Sequence, residues 1–597
     1  MNNIRVADYV ANRLIQFGIR DVFMVTGGGA MHLNDALGNH PELTYYCFNH
    51  EQSCAIAAEG YYRATGKLPI VNLTTGPGGT NAITGVLGQW LDSIPGIYIS
   101  GQVKWETTIY SCPEVENLRQ LGDQEGDIVN IIKPITKFAV LLKEPLQVKK
   151  IIDKAIYMAT HGRPGPVWID IPLDVQGAII DSDMLEEYDS KEDELVFEEK
   201  ILSDQAEILI EKLLSAKSPL LYIGNGIRLS CAEEQYKKFL NKMMIPVVSS
   251  ISGHDLIASD DKLFMGRPGI FGDRLGNIAI QNCDLLIVLG TRMSIRQTTY
   301  NFNDFCRKAY KIMIDIDNAE LNKPTFKVDL KINSDLKVFL DILLDKCDGI
   351  KTDFHSWISW GNNLKLQLPT MIDDNPSNPE FVNSYLFVER LFHHLSEDAL
   401  VVTGNGTAFT CTLQAMKIKD GMRVFCNQGC ASMGYDLPAA IGASIARKKD
   451  VILITGDGSL MMNLQELQTI VNYKLPIKVF VLENDGYLAI RITQTSFFDK
   501  RFVGESPKSG VSLPEMEKIS NAFGIKFFRI FNEANLDNQI SEVLEQSGPV
   551  FCEIKMDPNQ TLFPKVVSVK TPEGKIISKP MEHMFPFLSS DIDIMFD

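Results

Sequence analysis

No pair of cysteines sits at redox or zinc-knuckle spacing. The 11 cysteines are odd in number and scattered, without a C-x-x-C pair. Cys426 and Cys430, in "CNQGC", have no neighbouring ligands to complete a zinc site. That usage points to a reducing compartment, and a cytoplasmic location is expected. Long apolar runs are missing too. None reaches the ~18 residues a membrane span needs, and the start, "MNNIRVADYVANRLIQFGI", reads as an amphipathic helix rather than a signal peptide. Basic excess is absent: 58 Lys and Arg against 75 Asp and Glu leave a net charge of −17. A basic face for nucleic acid is therefore not expected, so neither nucleic acid nor a membrane is foreseen as a partner. There is no short repeat, which excludes a solenoid. Asp457 lies outside any D-x-[DN]-x-[DN]-G array, which excludes an EF-hand. "GNGIRLS" is not G-x-G-x-x-G, which argues against a dinucleotide-dependent dehydrogenase.

What is present is apolar material (45%) arranged as strands alternating with helices. "DVFMVTGGGAMHLNDAL" reads as strand, turn, helix, and "LPIVNLTTGPGGTNAITGVLGQWLD" repeats the plan. Such alternation predicts parallel sheets and an α/β fold. Composition divides the chain into an N-terminal unit over 1–182, a central unit over 200–350, a third over 380–560 and a tail over 561–597. The charge-rich Ser182 to Gln205 and the segment Thr370 to Glu380 read as linkers. The fold expected is three consecutive doubly wound parallel-sheet domains.

The most informative stretch is "VILITGDGSLMMNLQELQTI". Asp457 stands between Gly456 and Gly458 where an apolar strand ends, followed by Ser459. A lone Gly-Asp-Gly is an ordinary turn. However, Asn484 ends the next apolar strand, "VFVLEN", 27 residues on. One helix and one strand fit in that interval, and a parallel strand–helix–strand unit brings both strand ends to one edge. Carboxylate and amide oxygens suit Mg2+ or Ca2+. The carbonyl of Gly486 offers a third ligand, with water and a diphosphate completing an octahedron. In the first unit, Glu51 stands at a strand-to-helix junction in "CFNHEQSCAIAAEG". Alone, it reads as a first-turn glutamate favoured by the helix dipole. His32 and His50 flank this region and read either as packed histidines or as proton carriers.

Taken together, Gly-Asp-Gly followed by Asn resembles the motif of thiamine diphosphate (ThDP) enzymes. "HEQSCAIAAEGYYRATGK", "TTGPGGTNAITGVLGQWLDSIPGIYISGQV", "ITKF", "GRPGPVWIDIP", "MGYDLPAAIGA", "GDGSLMMNLQEL" and "LPIKVFVLEN" occur in the order seen in the acetolactate synthase group. The resemblance covers roughly residues 1–560 and implies pyrimidine-binding, central and diphosphate-binding domains in that order. It implies ThDP and Mg2+ as cofactors, with Asp457, Asn484 and Gly486 on the metal. Gly456, Gly458 and Ser459, and the strand-end loop of Gly406, Thr407 and Ala408, would lie at the diphosphate. Glu51 resembles the glutamate that activates the pyrimidine, with Pro77 and Asn81 lining its pocket. Met433 resembles the apolar prop under the bent cofactor, core packing being the plain alternative. Gln102, Gln124 and Lys137 match residues near the reacting centre, a solvated surface lysine being the plain alternative for Lys137.

Biosynthetic members of this group also carry FAD in the central domain, and many central domains keep the fold without it. Gly224, Asn225 and Gly226 in "YIGNG", Gly290, Arg292 and Arg296 in "GTRMSIR", and Asp315 and Asp317 in "IDIDNAE" match the flavin-binding stretches. The paired arginines suit a diphosphate. A homodimer or homotetramer is implied; no segment identifies a regulatory subunit.

Three departures concern the acceptor pocket. The group's Phe-Gln-Glu reads Asp123-Gln124-Glu125, and its Gly-Met-His-Gly reads Gly266-Arg267-Pro268-Gly269. The tryptophan expected after the metal asparagine is missing from "YLAIRITQTSFF". Two enzyme readings result. A 2-oxo acid, foremost pyruvate, is decarboxylated, and the two-carbon unit passes either to a second 2-oxo acid, giving acetolactate, or to a larger polar carbonyl compound such as a keto-sugar nucleotide. A third reading, an inactive scaffold, would require loss of Glu51, Asp457 or Asn484, and all three are present.

Overall fold

A computed structural model describes residues 3–570 and 576–596. It holds three parallel sheets, each flanked by helices. In the first, the strand order is Thr44–Cys47, Asp21–Met24, Ile70–Leu73, Gly96–Gln102, Pro166–Pro172, Phe138–Leu141. The third runs Arg423–Phe425, Leu400–Thr403, Val451–Gly456, Ile477–Glu483, Val550–Lys555, Lys526–Ile530. Numbered along the chain, both are 2-1-3-4-6-5, so the two outer domains share one topology that no sequence repeat announces. The central sheet runs 2-1-3-4-5 and spans Pro219–Ile223 to Leu330–Asn333. Most strands are buried along their length, as continuous apolar runs such as "VILIT" and "LLIVL" require when helices cover both faces.

The first and third domains share one core. Ala57 and Ala58 of the helix Glu51–Thr65 pack with Leu437, Ala440 and Ile441 of the helix Asp436–Arg447. Glycines set the approach: a methyl group at Gly60 would run into the carbonyl of Ala439, and one at Gly442 into that of Ala57. Beneath lies a buried polar knot. Glu59 accepts from Arg63 (2.7 Å), Asn427 and Tyr435, while Asp92 accepts from Arg63 (2.6 Å) and from the amides of Gln428 and Gly429.

Several boundaries differ from expectation. The linker read over 182–205 ends earlier, because the helix Glu199–Ser215 begins inside it. Leu202, Ala206, Leu209 and Leu213 form its buried stripe, which the surrounding charges mask. The second linker is pinned rather than free: buried Asp374 pairs with buried Arg274 at 2.9 Å. The central unit reaches past 350, since Trp357 of the helix His355–Gln367 is fully buried and donates to the carbonyl of Pro219. The tail is not a separate unit. Its Met581 and Met584 pack into the central core, and Asn277 and Asn282 donate to the carbonyls of Met581 and Ile594. Residues 571–575 of the tail lie outside the described residues. Among the described residues, no helix is long and apolar enough to cross a membrane.

Candidate active site

In the third domain the order 2-1-3 puts the switch point between Leu400–Thr403 and Val451–Gly456, where open α/β sheets bind ligands beyond their carboxyl ends. Two loops flank it. After the first strand, Asn405 caps the helix Gly406–Ala415, and its side chain accepts from the amide of Gly406 (2.7 Å). Gly406 adopts φ +67° with open space where a methyl group would stand. Thr407 and Ala408 complete the first turn, leaving helix N–H groups at the crevice. After the third strand comes Asp457, 2% exposed. One oxygen accepts from the amide of Gly458 (2.7 Å), the other from those of Asn484 (3.1 Å) and Gly486 (3.4 Å). Burial pushes its carboxyl up to about 7.

Asn484 directly follows the neighbouring strand, Ile477–Glu483, as its spacing from Asp457 predicts. It is 3% exposed, and its Oδ1 has no hydrogen-bond partner among the described residues. A buried orphan amide oxygen beside a buried carboxylate is what a hard divalent cation would satisfy. The donor set therefore fits Mg2+. Gly486, at φ +125°, brings its N–H to Asp457, and a side chain there would strike the carbonyl of Glu505. Ser459 ties this loop to the next, its Oγ accepting from the amide of Gly434 (2.9 Å). That bond holds the segment carrying half-buried Met433 beside the crevice. Gly456 has open space around a notional methyl group, whereas one at Gly458 would strike Tyr487.

The first domain presents the other half. Glu51 opens the helix Glu51–Thr65, capped by His50, whose Nδ1 accepts from the amide of Gln52 (3.1 Å). Its carboxylate is half-buried and accepts from Asn81 Nδ2 at 3.0 Å. Pro77 opens the short helix that carries Asn81, after Gly76 at φ +62°. Gln124, at φ +61°, lays its carbonyl over Gly76, so its backbone rather than its exposed side chain borders this pocket. Gln102 is close by but occupied: its Nε2 donates to the carbonyl of Gly126 and to Asp170, both at 2.9 Å. His32 packs near Arg5 and Gly177, away from this group.

Lys137 is not brought to Glu51 within the chain. It precedes the strand Phe138–Leu141, so it lies at the amino edge of the first sheet, and Glu51 follows the carboxyl end of Thr44–Cys47. It is neither a free surface lysine nor ion-paired. Its Nζ donates to the carbonyl of His161 (2.6 Å), and burial pulls it down to about 8.

That amino edge faces the carboxyl edge of the central sheet across a cleft. Asp92, Ser93 and Arg163 line one side; Asn225, Gly226, Gly290, Arg292 and Asp315 line the other. Gly224 adjoins it, and a methyl group there would strike Gly290 and Thr291. Gly226 and Gly290 touch so closely that neither tolerates a side chain. Burial raises Asp315 to about 6. Asp317 turns away to pair with Arg163 (2.6 Å). Arg296 is not in this cleft. It stands over the ring of Phe409 (5.4 Å to the centroid) in a second cavity between the central and third domains.

Sequence reasoning missed what surrounds the candidate residues. Glu59 and Arg63 of the knot that locks the two outer domains lay inside the quoted "AAEGYYRATG" and Asp92 inside "GQWLDS", but the partners Asn427 and Gln428 stand more than 300 residues away. The second cavity draws residues from segments as distant as 251 and 565, a convergence no motif reveals.

Comparison with known proteins matches all three domains. Residues 4–120 match the thiamine pyrophosphate enzyme N-terminal TPP binding domain, 206–343 the central domain and 404–554 the C-terminal TPP binding domain. The acetolactate synthase large subunit of Cyanidium caldarium is 30% identical over 580 residues, covering 94% of each chain. That of Lactococcus lactis is 31% identical over 563 residues, covering 93% of each. The Escherichia coli isozyme 2 large subunit is 31% identical over 587 residues, covering 97% of this chain and 99% of its own. Three domains in the right order and near-complete coverage of both chains lead to one conclusion: this chain is a thiamine diphosphate-dependent enzyme belonging to the acetolactate synthase large-subunit family.

Proposed function

We propose that the protein uses Mg2+ and ThDP to decarboxylate a 2-oxo acid, foremost pyruvate, and to transfer the remaining two-carbon unit to a carbonyl acceptor. The observation that carries this is the orphan Oδ1 of buried Asn484 beside buried Asp457, at the sheet switch point. Asp457 and Asn484 would hold the metal. The first-turn amides of Gly406, Thr407 and Ala408 would bind the diphosphate, and Met433 would support the rings. The cofactor supplies an electron sink for cleavage next to a carbonyl. The chain supplies position and proton control. Asn81 orients the Glu51 carboxylate, which would hold or release a proton at the pyrimidine of the bound cofactor. Gln102 and Asp170 fix the loop that carries Gly126 and Gln124 over the same pocket.

The two halves of the site are assembled separately. Among the described residues Glu51 bonds only within its own domain, as does Asp457. A homodimer, in which the glutamate of one chain meets the metal site of another, is the working unit that follows. The cleft with Gly226, Gly290, Arg292 and Asp315 suits the dinucleotide portion of FAD, its glycines admitting close backbone approach and Arg292 a diphosphate.

On the acceptor, one observation favours a larger polar compound over a second 2-oxo acid. Two of the three altered segments, Arg267-Pro268 and the helix Leu488–Phe497, line the second cavity, which measures about 410 Å3. That is within the range of cavities that hold multi-ring or sugar-sized ligands. The test is ThDP- and Mg2+-dependent CO2 release from pyruvate with mass identification of products. Acetolactate as the main product supports a 2-oxo acid acceptor, slow CO2 release without it supports a different acceptor, and no CO2 from any 2-oxo acid by ThDP-loaded protein overturns the proposal.

A further inference from the structure

The second cavity is bordered by three cations, Arg267, Arg296 and Lys565, and among the described residues none of them forms an ion pair. Arg267 is 7% exposed, and its Nε has no hydrogen-bond partner. Among the described residues its only side-chain bond runs from Nη2 to the hydroxyl of Ser259 (2.9 Å). Beside it His254, 3% exposed, uses Nδ1 near the hydroxyl of Ser249 (3.3 Å) and leaves Nε2 without a partner among the described residues. The one carboxylate on the wall, Asp273, is engaged elsewhere. It accepts from the amides of Arg267 (2.8 Å) and Gly276 (2.7 Å) as the cap of the helix Arg274–Asn282.

Unpaired buried cations are costly unless something opposite in charge comes to meet them. Arg267 is such a cation, and half-buried Arg296 and Lys565 stand with it in a chain whose net charge is −17. Desolvation without a compensating partner pulls Lys565 down, and Arg267 to about 10 despite Asp273 nearby. The cavity also touches Asn405 and Gly406, the loop at the switch point, so a ligand in it would lie beside the reacting centre. The tail brings in Lys565 and Leu562, with the amide of Val566 anchored to the carbonyl of Ile270 (2.9 Å).

We propose that this cavity binds the acceptor by a phosphate or diphosphate group, with Arg267 and Lys565 as the anion-recognising residues and His254 Nε2 as a further polar contact. This rests on the decarboxylation and transfer reading above and names the acceptor's chemical class: a phosphate-bearing carbonyl compound, not a second small 2-oxo acid. A planar guanidinium can pair with two phosphate oxygens, which a methionine or tryptophan wall does not offer.

The experiment titrates protein saturated with Mg2+ and ThDP by calorimetry, using inorganic phosphate, fructose 6-phosphate, fructose and UDP-glucose. The expected result is binding of at least one phosphate-bearing probe, with fructose at least tenfold weaker than fructose 6-phosphate where the latter binds. Arg267→Gln and Lys565→Gln should each weaken that probe tenfold or more and leave ThDP affinity at the parent value. Arg267→Lys should keep part of the affinity. Lys565 is half-buried at the rim, so its variant keeps the test open if Arg267→Gln folds poorly. Failure of every phosphate-bearing probe to bind the parent, or equal affinity in both Gln variants, overturns the proposal. Probe binding with no CO2 from any 2-oxo acid would instead overturn the function and leave the cavity's role standing.

Discussion

Asn484 presents a buried amide oxygen that has no hydrogen-bond partner among the described residues. Left so, it costs ~1–3 kcal/mol, which a bound cation would recover. Asn484→Ala should therefore raise the Mg2+ concentration needed for ThDP binding by at least on the order of tenfold, since even outer-shell metal partners cost that much. The metal-free variant should melt no lower than the metal-free parent. Fluorescence titration with Mg2+ and a melting curve check the two halves; an unchanged Mg2+ requirement would remove Asn484 from the metal site. Glu51→Gln keeps the shape and the Asn81 contact but not the proton acceptor. CO2 release should fall by roughly 10²–10⁴-fold, with ThDP affinity changed little. Asp457 and Asn484 were singled out in the sequence because each follows an apolar strand at a meaningful interval, whereas Glu51 follows the mostly exposed strand Thr44–Cys47 and was singled out by the resemblance alone. Gln102 and Lys137 were not legible in the same way: a motif gives identity, whereas their bonds to Asp170 and to the carbonyl of His161 depend on segments far along the chain.

Helices and strands carry different lessons. The alternation of apolar strands and amphipathic helices foretold all three sheets, because buried parallel strands must be nearly continuous in Val, Ile and Leu. It failed at Glu199–Ser215, where dense charge on the exposed face hid a regular buried stripe. The seam between Glu51–Thr65 and Asp436–Arg447 rests on two glycines. Gly442→Ala forces the helices apart, and overpacking of this kind costs about 1–3 kcal/mol. A lower thermal midpoint, with ThDP protection reduced, is expected; a midpoint equal to the parent's would show that the seam relaxes freely. At the amino edge of the first sheet, Lys137 titrates at about 8 when folded, below its ordinary value of 10.5. A lysine depressed in this way destabilises the fold while charged, fully so below pH 8, and the cost fades as pH rises toward 10.5. Relative to Lys137→Met, the parent should thus gain stability between pH 8 and 10.5, read as the difference in melting temperature. A pH-independent difference would contradict the burial argument.

At the scale of the molecule, two outer domains with one strand order, 2-1-3-4-6-5, hold the two halves of the site. No repeat betrays that kinship, since topology depends on where apolar segments fall and not on their identity. The tail shows the opposite limit. It lacks any motif, yet it seats Met581 and Met584 in the central core and Lys565 in the second cavity. If sites form between chains, Glu51→Gln and Asp457→Ala proteins, each inactive alone, should recover activity when mixed and allowed to exchange. Random dimers are half heterodimers with one intact site of two, so up to about a quarter of parent activity is expected. No recovery despite proven exchange would place each site within one chain.

The most direct test of the central claim is the rate of CO2 release from pyruvate by the purified protein, with Mg2+ and ThDP supplied together, singly and not at all. The account predicts release that requires both and is lost in Glu51→Gln. Protein that binds ThDP and Mg2+ yet releases no CO2 from pyruvate or any other 2-oxo acid would contradict it.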